Sequence, residues 1–357
     1  MQRRHFITLA AAGAAGAAAP WARAQGGWPT QQIRWVVPYP AGGGTDVLAR
    51  AISEAMRPLL NQQPIVVDNR PGAATNIGAD LVAKAKPDGY TVMSADNAVL
   101  AFNEHLFSKL PFNPVKDFSY IGAFGRFPLA LVVNPQFPAK TFKEFLAWAR
   151  ANPGKLNYAS PGNGSPHHLA MELFKARTGT FITHIPYRGA APAMQDVMGG
   201  QVPCMFLDLP AGLPVIQSGK VRALAIGSAR RVAQLPDLPT LAELGVKDSE
   251  VYAFQGLLGP AGLPADVVAK LNGAINQALR DPGVVKRMQD YGMEAQPGTP
   301  ASARVGTSGR AATRLAEPMA SARTLPEVMT GRPAARSRNM QGTWPPITSC
   351  SAGAAPR

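Results

Sequence analysis

Cysteine is nearly absent from this 357-residue chain, which holds only Cys204 and Cys350. A disulfide framework is thereby excluded as the source of stability. Cys204 lies in Val202-Pro203-Cys204-Met205-Phe206, which reads as strand core, so the two thiols are expected to stay unjoined. Histidine is scarce as well. The five histidines never occur at His-x-x-x-His spacing, which argues against a zinc site, and no metal or other cofactor is expected. Past the first residues no apolar stretch approaches the roughly 20 needed to span a bilayer.

The formal charge of +14 invites a nucleic-acid reading, so its location matters. Arg3, Arg4 and Arg23 stand at the N-terminus without an acid, and residues 301–357 carry eight arginines against two glutamates. The body from 26 to 300 is left at +5, without a Lys/Arg run or interleaved aromatics. That is a mild bias towards anions; no nucleic-acid partner is expected.

What is present begins with an address. Met1-Gln2-Arg3-Arg4-His5-Phe6-Ile7 opens a short Ala/Gly-rich apolar run that ends at Ala22-Arg23-Ala24. A basic start, a short apolar run and an A-x-A site make a secretory signal over residues 1–24, and the paired arginines resemble a twin-arginine export signal. The mature protein is expected to start at Gln25, exported and soluble in a bacterial periplasm.

The body is ordered around Trp35-Val36-Val37-Pro38-Tyr39-Pro40-Ala41-Gly42-Gly43-Gly44-Thr45-Asp46. It reads as a buried strand, a glycine-rich turn and a helix beginning near Asp46. Glycines bare the backbone N–H groups, and the first amides of a helix have no partner within it, so the unit suits an anion. It also suits a plain tight connection. No Gly-Lys-Ser/Thr follows, and Val47 stands where a dinucleotide-binding turn needs its third glycine.

The same rhythm recurs. Pro64 to Asn69 and Tyr90 to Met93 read as strands, with a loop and helix from Arg70 between them. Leu129 to Val133 carries the chain into a second lobe. There Thr141-x-x-Glu144 is a capping box, and Leu156 to Ala159 is a strand emptying into Ser160-Pro161-Gly162-Asn163-Gly164-Ser165-Pro166-His167-His168. Thr183 to Gly189 and Val202 to Asp208 repeat the pattern, and Val221 to Ile226 is expected to return the chain to the first lobe. Thr240-x-x-Glu243 should cap a short helix, Val251 to Gln255 is strand-like, and Pro264 to Leu279 has a helical apolar stripe. Alternating strands and helices predict an α/β protein with two α/β lobes around a ligand cleft. Lobe 1 is expected over 25–127 plus 228–300, and lobe 2 over 128–227.

Taken together, several of these stretches resemble the periplasmic receptors of the tripartite tricarboxylate transporters, the Bug (Bordetella uptake gene) receptors. The carriers are Val37 to Asp46, Asn69-Arg70-Pro71-Gly72-Ala73, Pro87-Asp88-Gly89-Tyr90, Tyr158 to Leu169, Pro186-Tyr187-Arg188-Gly189-Ala190 and Leu257-Leu258-Gly259-Pro260. The resemblance implies a type II periplasmic-binding-protein fold that closes on a small carboxylate and passes it to membrane permease subunits of the transporter. It also implies ligand contacts at Tyr39, Ala41, Gly43, Thr45 and Asp46 from the first lobe, largely through backbone amides and water. From the second lobe it implies Ser160, Gly162, Gly164, Ser165, Tyr187 and Asp208.

Several of these residues admit plainer roles. Asp46 orients water at the pocket floor or merely sits near a helix N-terminus. Ser165 touches ligand or only caps its helix. Tyr187 offers a hydroxyl or just a wall, and Arg188 pairs a carboxylate or stays solvated. Ser165 with His168 also raises a serine hydrolase, although Gly162-Asn163-Gly164-Ser165-Pro166 is not G-x-S-x-G. A ligand-sensing subunit for a membrane kinase is the other alternative. From about Pro300 the composition turns to Ala, Gly, Ser, Thr, Pro and Arg, where a closing amphipathic helix is expected from the resemblance. The switch predicts a disordered tail or a frameshift near codon 300, which re-reading the gene in its other frames tests.

Overall fold

The computed structural model describes residues 27–301. The signal expected over residues 1–24, the tail from residue 302 and Cys350 lie outside the described residues. Cys204 is a buried free thiol whose Sγ donates to the Asn157 carbonyl.

The chain opens with β1 (Ile33–Val37), buried at four of its five positions, as a strand covered on both faces must be. It leads through the glycine turn into α1 (Gly44–Met56), whose Leu48, Ala49, Ile52 and Met56 face the core. Next come β2 (Ile65–Asn69), α2 (Asn76–Ala83) and β3 (Thr91–Asp96); β2 and β3 flank β1 in parallel. Trp35 fills the centre of this lobe, donating from Nε1 to Ser94 Oγ at 2.8 Å and meeting Phe124 edge-on. A wide turn over Ala98–Phe102 then leads into the single turn α3 (Asn103–Leu106).

The apolar run Leu129 to Val133 is the end of a single long strand, β4 (Phe118–Val133), of 16 residues. Its pairing with β9 shifts register at Gly122 and again at Gly125. Up to Pro128 the strand belongs to the first lobe, and from Leu129 it belongs to the second. The second lobe continues with α4 (Phe142–Ala151), β5 (Leu156–Ser160), α5 (Pro166–Thr178), β6 (Ile182–Pro186), α6 (Ala190–Met198), β7 (Cys204–Asp208), α7 (Leu209–Gln217) and β8 (Arg222–Ile226). Its core gathers Phe137, Phe145, Trp148, Phe174 and Phe206. The capping box forms: Thr141 Oγ1 accepts from the Glu144 N–H at 3.2 Å, and the Glu144 carboxylate accepts from the Lys140 and Thr141 N–H groups. Thr141→Ala should cost about 1 kcal/mol. Thermal unfolding should show it as a midpoint some 2–4 °C lower.

The return to the first lobe comes later than expected. β8 pairs with the second-lobe half of β4, and Leu241, Val246 and Val251 pack into the second-lobe core. The boundary therefore lies near Val251 rather than at 228, because those side chains find their apolar partners beside α4. Thr240 and Glu243 make their reciprocal capping bonds, yet only one turn follows, since Gly245 takes φ +87° and ends it. At the crossing Gly227 donates to Leu129 and accepts from Val251, tying the two connecting segments together.

β9 (Tyr252–Pro260) then enters antiparallel between β3 and β4, followed by α8 (Ala265–Ala278), α9 (Pro282–Asp290) and the short β10 (Glu294–Ala295). Two α/β lobes, joined by β4 and by the chain at Val251–Tyr252, thus face each other through the carboxyl ends of β1, β5, β6 and β7.

Candidate functional site

Between the lobes lies a cleft of about 290 Å³. The first lobe lines it with Pro38 to Pro40 and Pro71 to Thr75, the second with Pro161 to Asn163, Ser165 and Pro186 to Gly189. Of the residues that line it, only Arg188 carries a formal charge. The rest are prolines, glycines and alanines together with Tyr39, Thr75, Phe107, Asn163, Ser165 and Tyr187, so the one formal charge offered to an anion is that guanidinium.

One wall is strained. Ala73, Ala74 and Thr75 all take positive φ, at +45°, +53° and +76°. Buried Asn103 holds them. Its Nδ2 donates to the Ala74 carbonyl at 2.8 Å, to Asn76 Oδ1 at 2.7 Å and to Thr75 Oγ1 at 3.3 Å.

Behind Tyr39 the cleft leads to an inner pocket of about 20 Å³, lined by Gly44, Thr45, Asp96, Phe127 and Gln255 from one lobe and His167, Ala190 and Asp208 from the other. That is space for one water or the tip of one polar group. Tyr39 donates its hydroxyl to Asp96 Oδ2 at 2.6 Å. Burial raises both acids, and in Tyr39 the neighbouring Asp96 adds to it; the hydrogen bonds to Asp96 from Tyr39, Ala98 and Val99 only partly offset its burial. Asp208 caps α7 through the Ala211 N–H at 2.9 Å and meets His167 Nε2 at 3.1 Å. Both polar side-chain atoms of Gln255 and Nδ1 of His167 are buried without a hydrogen-bond partner among the described residues. Buried polar groups of that kind are costly unless something satisfies them, which marks the pocket as a polar subsite.

The 160–165 loop rests on a stack of rings. Tyr158, His184 and His168 lie nearly parallel, with centroids 4.8 Å and 4.2 Å apart in that order. His184 Nε2 meets Ser160 Oγ at 2.6 Å, and His168 Nδ1 accepts from the Gly164 N–H at 3.1 Å. Burial pushes His168 down to about 4, and burial with the neighbouring His168 and Lys175 pushes His184 down to about 2. In the unfolded chain an imidazole titrates near 6.5. Because the folded values are lower, the unfolded state takes up protons first. Stability is therefore complete above about pH 6.5, falls as pH drops towards 4 through His168, and falls further through His184. The His168 share should reach about 3 kcal/mol at pH 4. Unfolding midpoints between pH 7 and 4 should show the loss, and His168→Gln should flatten its upper part.

The comparisons with known proteins fit this geometry. The sequence pattern of the tripartite tricarboxylate transporter family receptors matches residues 48–330. The chain belongs to this family. BugT of Bordetella pertussis is 38% identical over 278 residues, covering 78% of this chain and 85% of BugT. Among solved structures, an R. palustris protein with adipate is 33% identical at a TM-score of 0.79, covering 82% of this chain and 98% of that one. MatC from Rhodopseudomonas palustris with bound malate is 32% identical at 0.77, covering 82% and 99%. The protein is a receptor and not an enzyme, and its two lobes have the periplasmic-binding-protein architecture. The family match runs past residue 300, into the stretch whose composition departs from the body.

In this receptor Tyr39, Gly162, Ser165 and Tyr187 line the cleft, and Thr45 and Asp208 reach the inner pocket. Ala41 is exposed and lines neither, while Gly43 is the N-cap of α1. Asp46 faces inward as a clamp: it accepts from the Gly42 N–H, Arg50 and Asn69 Nδ2. Burial alone would raise its carboxyl, but those bonds outweigh it and hold Asp46 below the usual range. It shapes the glycine turn and pins it to the end of β2. Ser160 likewise supports its own loop, exchanging hydrogen bonds with Gly162. Gly164 takes φ +75°, and a Cβ there would stand 2.7 Å from Leu106 Cδ1, so only glycine fits this contact between the lobes.

The hydrolase reading fails on geometry as well. Ser165 Oγ donates to the Gly162 carbonyl and accepts from the backbone N–H of His168, not from its ring. The Tyr187 hydroxyl is committed to Asp196 Oδ2 at 2.6 Å, which leaves its ring as the cleft wall. Sequence reasoning missed Asp96, His167, Gln255 and the Gly72–Thr75 wall. Asp96 carried a usable signal, the carboxyl end of a parallel strand. Gln255 sits within an antiparallel strand and carried none.

Proposed function

We propose that the receptor works in the periplasm, closes on one small carboxylate and delivers it to the membrane permease subunits of a tripartite tricarboxylate transporter. The observation that carries this reading is the 290 Å³ cleft, lined from both lobes by glycine- and proline-rich loops and holding Arg188 as its one charged lining residue. A flexible chain of four to six carbons fits that volume, and the relatives solved with adipate and malate bind acids of that size. One carboxylate is met by the Asn163 amide and the amides of the 72–75 segment, and Arg188 at the rim pairs with it or with a second carboxylate. Tyr39, Thr45, Gly162, Ser165, Tyr187 and Asp208 are the contacts proposed among the residues singled out by sequence; Asp46, Ser160 and Gly164 act by shaping the loops.

A thermal-shift screen of the signal-free protein against adipate, malate and other small acids tests this. A ligand at 100 times its Kd should add about 2.7 kcal/mol, seen as a clear rise in midpoint. Uniform failure by a well-folded protein would refute carboxylate binding, and undiminished uptake in a deletion strain would refute delivery.

A further inference from the structure

The second lobe holds a larger cavity than the cleft, at its opposite end. Leu129 and Asp208 pair at the cleft end of the sheet, whereas Val133 pairs with Cys204 and Arg222 at the far end. There a groove of about 850 Å³ opens between the start of α4, the end of α7, β8 and the 234–239 loop. Its walls are apolar, with Phe142, Ile216, Val221, Leu224, Leu235 and Leu244 among them. Its charged residues are Lys140, Lys143 and Arg222 against the single acid Asp237.

Arg222 is half-buried, and its Nη1 is buried with no hydrogen-bond partner among the described residues. A buried guanidinium N–H left unsatisfied is costly. Glu144 already takes the N–H groups of Lys140 and Thr141 at the start of α4, so the unmet demand in the groove is for an acceptor at the guanidinium. The rest of the lining is mainly hydrocarbon, with Lys140 and Lys143 exposed and only Thr141, Gln234 and Asp237 as other polar side chains. One anionic head and an apolar body satisfy that pattern, and the volume lies within the usual range for small-ligand sites.

We propose that this groove is a second ligand site and binds one unbranched aliphatic carboxylate. The head sits on Arg222 between Lys140 and Lys143, and the chain lies along the Phe142, Leu224 and Leu244 wall. The groove is built from one lobe alone, so its occupancy is independent of cleft closure. It differs from the cleft in its walls: large aliphatic and aromatic side chains instead of glycine- and proline-rich loops.

Decanoate titrated into the receptor by calorimetry is the test. It should bind once to the native protein, about tenfold more weakly to Arg222→Gln, and undiminished to the cleft variant Tyr187→Ala. Because Arg222 is half-buried, the exposed Lys143→Glu serves as a second groove variant. It should also weaken decanoate while leaving the unfolding midpoint unchanged. Decanoate that survives both groove substitutions, that is lost in Tyr187→Ala, or that never binds the native protein overturns the proposal.

Discussion

Gly44→Ala should leave the free receptor as stable as before and cut its affinity for the cleft ligand at least about tenfold. Gly44 is the first residue of α1 and does not take a positive φ, so alanine is accepted by the backbone and favours the helix by up to about 1 kcal/mol. With the lobes together, however, its Cβ would stand 2.7 Å from Asp208 Oδ1 and 3.0 Å from Phe127 Cζ. Phe127 belongs to the same lobe and can shift by a few tenths of an ångström. Asp208 comes from the other lobe and is held at both oxygens, by Ala211 and His167. The lobes would have to part instead. Calorimetry should show the affinity loss, and solution scattering with saturating ligand should show a wider receptor. Affinity equal to the native value would mean that Asp208 swings aside and that closure does not depend on this approach.

Asn103→Ala should lower stability by about 3 kcal/mol and loosen one wall of the cleft. Each left-handed non-glycine residue costs on the order of 1–2 kcal/mol, and three stand in a row at Ala73, Ala74 and Thr75. The Asn103 amide, fully buried, holds that segment through three acceptors. Losing about 1 kcal/mol for each is the expected toll. Denaturant unfolding measures it, and amide exchange should quicken at residues 73–76 well before the rest of α2. Stability within 1 kcal/mol of native would show that the positive φ values persist without their buttress.

Much of the site was legible in the chain because its parts are local. The strand–turn–helix units at 35–46 and 156–168 place a helix N-terminus at a strand end through turn chemistry within a dozen residues. Ser165 could be recognised as a cap, and Thr141 with Glu144 as a capping box, since those bonds span three residues. The same locality misled at Thr240 and Glu243, where the bonds form but Gly245 stops the helix. The full length of β4 had no local signal, because long pairing with β9 carries it past Gly122 and Gly125.

By itself, then, the amino-acid order determined the α/β rhythm, the glycine turns that bare backbone amides, and the caps that start the helices after them. Only the packed molecule decided that residues 228–251 join the second lobe, that Asp208 approaches Gly44, and that Gln255 and His167 meet in one pocket. Apolar burial has no direction of its own, so a stripe of leucines and valines says that it will be covered without naming the surface that covers it. Contacts across the lobes depend on the summed geometry of the two connecting segments, and no short stretch of chain carries that sum.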